Sequence, residues 1–136
     1  MTSKNLLLVE DDITLGELLL HVLDKTGHQA TWFVRARLQD DVLVLMDADG
    51  AETILQPENF ELALVDYRLK GSPVDGPEVT SHLVKKGVPV VAISGLTQLN
   101  DIMIAAGARG GISKDRLFSG VLRRELLLDH TFVGVK

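Results

Sequence analysis

Three short apolar runs, Leu6 to Val9, Leu62 to Val65 and Val90 to Ile93, carry no polar alternation, and each gives way to a segment of helical period. A strand with one wet face alternates in polarity, so an unbroken run of this length marks a strand buried on both faces. After the first run, Leu15, Leu18, Leu19, Val22 and Leu23 fall at i, i+3, i+4, i+7 and i+8, one apolar helix face, with Gly27 as a stop. After the second, Pro77 suits a first helical turn, and Val79, Leu83 and Val84 follow. After the third, Leu99, Ile102, Met103 and Ala106 repeat the pattern up to Gly107, and a final helix is expected over 116–128 with Phe118, Val121, Leu122 and Leu126 inward. Alternation of this kind predicts an α/β fold, a doubly wound parallel sheet of five strands covered by helices.

The interval from Gln29 to Leu55 breaks the rhythm. It holds two candidate strands, Ala30 to Val34 and Val42 to Met46, joined by the polar stretch Arg35 to Asp41, which is too short for a crossover helix. A hairpin that adds an antiparallel edge strand to the sheet is the expectation, and either segment could be the true second strand. No repeat or linker divides the chain, so residues 1–136 read as a single domain.

The 46% hydrophobic content is enough for a core, and the absence of cysteine excludes disulfides, thiolate-ligated zinc and a thiol nucleophile. The opening segment has no signal-peptide character, and no apolar stretch approaches a membrane span, so a cytoplasmic protein without membrane contact is expected. Against 19 acidic residues stand 14 Lys and Arg, scattered but for Lys85-Lys86 and Arg123-Arg124, which argues against direct nucleic-acid binding. Trp32 and Phe33 would be interface candidates if exposed; burial in the core is the expected fate of both.

In an open parallel sheet, ligands gather beyond the carboxyl ends of the strands. The first strand ends in Glu10, Asp11 and Asp12, the third in Asp66, the fourth in Ser94 and Gly95, and the fifth, around Gly111 to Ser113, in Lys114. Carboxylates clustered on one rim repel unless they hold protons or a hard cation, and so few protein oxygens suit Mg2+ with retained waters. One of the acids, Asp11 or Asp12, is expected to cap the following helix. Asp66 is a candidate nucleophile toward phosphorus, Lys114 can pair with it and then with a phosphoryl oxygen, and Ser94 can donate to another.

The segments LLLVEDD, LALVDYRL, VVAISG and ARGGISKD, in that order, resemble the receiver domain of two-component response regulators, over roughly 4–128. That resemblance implies a flavodoxin-like sheet, Glu10 and Asp11 as the Mg2+-binding acids, Asp66 as phosphoacceptor, Ser94 as switch hydroxyl and Lys114 as the paired lysine. It also implies that the backbone carbonyl of Arg68 completes the metal site. The implied activity is transfer from a phosphohistidine of a histidine kinase or histidine phosphotransfer protein to Asp66, reset by slow hydrolysis. The implied role is a switch and not a turnover enzyme, with homodimerisation left open.

The chain also departs from that pattern. The interval from Asp11 to Asp66 is longer than usual, which locates an insertion in the 29–55 region, and Lys70 stands where proline is common. Gly111 occupies the place of an aromatic that usually swings inward as the hydroxyl residue moves. The alternative reading is therefore a degenerate receiver acting as a phosphorylation-independent interaction module. A phosphatase using Asp66 would need an acid two residues on, where Arg68 stands, and no phosphate-binding glycine loop is present.

Overall fold

The computed structural model describes residues 5–114 apart from Thr26, so the helix expected over 116–128 lies outside the described residues. Five strands form a parallel sheet: β1 (Asn5–Val9), β2 (Gln29–Phe33), β6 (Leu62–Asp66), β7 (Val90–Ser94) and β8 (Gly110–Ser113). Their order is β2-β1-β6-β7-β8. This is the 2-1-3-4-5 order of flavodoxin-like sheets, with the crevice expected where the order reverses, beside β1. In register, Leu8 lies between Trp32 and Leu64, and Asp66 lies opposite Ile93.

The two sheet faces are packed differently. On one, Leu6, Leu8, Leu64, Val91, Ile93 and Ile112 meet Leu19 and Leu23 of helix α1 (Ile13–Lys25). On the other, Leu7, Val9, Ala63, Val65, Val90 and Ala92 meet Val79 and Leu83 of α2 (Gly76–Lys85) and Met103 of α3 (Thr97–Ala105). The stripe that α1 buries runs through Gly16, Leu19 and Leu23, whereas Leu18, expected inward, is 49% exposed. The displaced stripe has a cause: the Trp32 ring lies where a side chain at position 16 would stand.

Between β2 and β6 the chain builds a second, antiparallel sheet, β3 (Arg35–Gln39), β4 (Val42–Met46) and β5 (Glu52–Ile54). Of the two candidate second strands, the one at Gln29–Phe33 joins the parallel sheet. The antiparallel strands stand as their own layer and do not extend the edge of that sheet, which corrects the hairpin-on-edge expectation. The physical reason is burial: Ala36, Leu43, Leu45 and Leu55 need an apolar partner, and they find it on the β1–β6 face in the same cluster as α2. Two turns make the sheet possible. Asp40 and Asp41 both take positive φ (51° and 63°), the geometry of a two-residue hairpin, and Asp47 Oδ1 accepts the Asp49 and Ala51 amides in the next turn.

Candidate functional site

Strand β1 ends by placing Glu10 in full burial and Asp11 half-buried at the rim. Asp12 goes the other way: its Oδ1 accepts the Leu15 amide at 3.0 Å and caps α1. The division expected from sequence, one acid capping and two facing inward, is therefore what the structure shows. Asp66, 4% exposed, comes up on the neighbouring strand β6. Oxygens of Glu10, Asp11 and Asp66 all lie within 4.8 Å of one another, an arrangement able to hold a cation. Lys114, immediately past β8, reaches both acids, with Nζ 3.2 Å from Glu10 Oε1 and 3.2 Å from Asp66 Oδ1.

One ammonium does not satisfy three carboxyl groups. Burial, the charge of Glu10 and a hydrogen bond with Asp11 push the Asp66 carboxyl up to about 8. Burial also raises Glu10, against the Asp12 amide (3.1 Å from Oε2) and Lys114. Burial acts on Asp11 in the same sense but is outweighed by hydrogen bonds with Asp66 and the Lys70 amide, which hold it below its usual range. Lys114 loses by burial and gains more from Asp66 and Glu10, so it is raised and stays charged. Glu10 Oε1 is buried, makes no hydrogen bond among the described residues and is met by that ammonium at ion-pair distance, 3.2 Å. A buried carboxylate oxygen that shares one ammonium with a second acid, and lies beside a third, fits a hard divalent cation.

The cleft above this cluster has a volume of about 210 Å³ and is lined by Asp11, Asp66, Arg68, Ser94, Gly95 and Lys114, among others. All the side chains singled out from sequence thus reach one place, with Arg68 on its wall. Ser94 is buried, and its Oγ donates to the Leu96 carbonyl at 2.6 Å, so the hydroxyl is engaged locally. Gly76 matters for a reason the sequence did not announce: a Cβ there would sit 2.2 Å from the Asp66 carbonyl oxygen, and its own amide donates to Tyr67 O at 2.7 Å. Helix α2 therefore starts directly against the backbone that carries Asp66.

The chain's similarity to known proteins follows this geometry. In Klebsiella pneumoniae, the BeF3-activated N-terminal receiver domain of RstA matches with a TM-score of 0.66 and 21% identity, over 92% of this chain and 97% of that one. The chain has the receiver-domain fold of response regulators. A response regulator from Burkholderia pseudomallei, solved with a phosphorylated aspartic acid, calcium ion and citrate, matches this receiver fold at a TM-score of 0.62 and 17% identity, over 93% of this chain and 72% of that one. In sequence, the chain is 26% identical over 130 residues to the uncharacterized transcriptional regulatory protein YbdJ of Bacillus subtilis (strain 168), covering 94% of this chain and 49% of that protein. It spans about half the length of that curated relative. No family model matches the chain.

At the β8 end, the chain departs from the pattern its sequence resembles. Gly111 is buried, and a Cβ on it would lie 2.5 Å from Cβ and Cγ of Asn100 on α3. The room an aromatic side chain would need is filled by a helix residue that is itself 5% exposed.

Proposed function

We propose that this receiver is a phosphoryl-accepting switch of a two-component system, loaded at Asp66 from a phosphohistidine of a histidine kinase or histidine phosphotransfer protein in the cytoplasm. The observation that carries the reading is the placement of Asp66 within ion-pair reach of Lys114 and beside Glu10 and Asp11, on the wall of an open cleft. An oxygen of the ionised Asp66 attacks phosphorus in line; the new P–O bond forms as the P–N bond breaks, and its electron pair leaves on the imidazole nitrogen. Lys114 exchanges its contact with Asp66 Oδ1 for a phosphoryl oxygen, staying charged throughout. Ser94 reaches the same group by releasing the Leu96 carbonyl. Glu10, Asp11, Asp66 and the backbone carbonyl of Arg68 would hold Mg2+, which when bound offsets the charge of the acids and of the transferring group.

The raised Asp66 carboxyl supports a role for the cation. A carboxyl held up to about 8 is a poor nucleophile near neutrality, and a cation at the acid cluster favours its ionised form. The domain accepts the group and does not turn over, because Arg68 stands where a phosphatase of this type places its leaving-group acid. The convergence of all five side chains speaks against a phosphorylation-independent module. The test is incubation of the chain with MgCl2 and acetyl phosphate, followed by intact mass and base treatment. One base-labile phosphoryl group is expected on the parent and none on Asp66→Asn or without Mg2+; an unmodified parent would overturn the proposal.

A further inference from the structure

We propose that Trp32 is a positioning residue for the cation site, fixing the Glu10–Asp11 peptide so that both carboxylates face Asp66. The inference rests on reading the acid cluster as a cation site. Trp32 lies on β2, opposite Leu8 in register, and its indole Nε1–H donates to the Glu10 carbonyl at 2.9 Å. The Glu10 amide donates in turn to Phe33 O at 3.0 Å. The residue carrying the most buried of the three acids is thereby held by β2 on both sides of its Cα. The peptide so oriented leads directly into Asp11, and the plane of that peptide sets the direction in which both side chains leave the backbone.

Packing does not use all of Trp32. Its half-buried side chain packs against the Leu6, Leu8, Leu19 and Leu23 cluster, yet its indole N–H is directed at the Glu10 carbonyl, whereas Phe33 beside it is 5% exposed and lies within the cluster on the other face. The ring lies across α1 at Gly16, where a Cβ would come within 2.2 Å of ring carbons. Glycine is a poor helix former, and α1 carries it as its fourth residue, at the point where the indole must pass to reach Glu10. Residues that orient metal ligands without touching the metal commonly govern affinity tenfold or more.

Calorimetric titration of the full chain with MgCl2 tests the inference, alongside thermal melts in EDTA. Trp32→Phe keeps the ring and removes the N–H; it should bind Mg2+ about tenfold more weakly while its metal-free midpoint stays close to the parent's. Gly16→Ala, which improves helix propensity but drives the ring from its seat, should weaken Mg2+ binding as well and shift the emission of this single tryptophan. Affinity equal to the parent's in Trp32→Phe overturns the inference and leaves the proposed function standing. If that variant does not fold, parent-like affinity in Gly16→Ala overturns it instead. A parent chain that takes up no Mg2+ overturns the proposed function, and this inference with it.

Discussion

The two connections that meet at β2, the edge strand of the parallel sheet, solve one problem with different means. From β1 to β2 the chain crosses through α1, a helix whose Leu19 and Leu23 cover one face. From β2 to β6 it crosses through three antiparallel strands, and Leu43 and Leu45 cover part of the other face. A parallel crossover therefore needs a layer with one apolar side and self-satisfied backbone, and a small sheet meets that need as a helix does. The difference lies in the edges. A helix closes its hydrogen bonds internally, whereas the small sheet is tied to its surroundings by bonds such as Ala36 N–H to Ser72 Oγ at 3.0 Å. That bond stitches the small sheet to the loop following Asp66.

If the small sheet is a true core layer, Leu45→Ala should cost as much stability as Leu23→Ala, about 2–5 kcal/mol each by urea unfolding. A Leu45 effect below about 1 kcal/mol would mark the sheet as an appendage. The next largest effect belongs to the acid cluster on the parallel sheet. Asp66 is raised to about 8 in the fold against an ordinary value of 3.8, so without metal the folded state keeps a proton that the unfolded chain has released. Its contribution is complete below about pH 4 and is lost as pH rises toward 8. In EDTA, Asp66→Asn should therefore gain on the parent progressively across that range, most at pH 8. Unfolding curves at pH 5, 6.5 and 8 read the trend, and a gap independent of pH would contradict it. The smallest effect is on the outer side of the small sheet, where Arg37 pairs with Glu52 at 3.1 Å in open solvent. Arg37→Ala should leave the midpoint unchanged within measurement scatter; a clear loss would mean that this side is not simply a solvated surface.

The parallel sheet was legible because three of its five strands, β1, β6 and β7, are unalternated apolar runs, and because the residues that end the strands point to one rim. Glu10, Asp11, Asp66, Ser94 and Lys114 needed only the rule that such sheets work at their carboxyl ends. The second crossover was not legible for a physical reason. Val42 to Met46 is apolar on both faces, so its pattern does not say which sheet it joins, and the three-residue β5 is too short for any period to show. The pair Asp49-Gly50 was the available hairpin signal, and Gly50 does take a φ of 89°. Nothing in sequence spacing foretold that Trp32 would reach Glu10, because that contact depends on the register of β2 against β1 and on a glycine in a neighbouring helix.

Gly111 and Asn100 leave this fold with a joint that tolerates no shim. Even a methyl group at 111 meets the helix residue head-on, so grafting a ring there would lever α3 off the strand beneath it. Any route from this domain to one with an aromatic at that place must alter both partners together, since either change made alone passes through a misfitted intermediate.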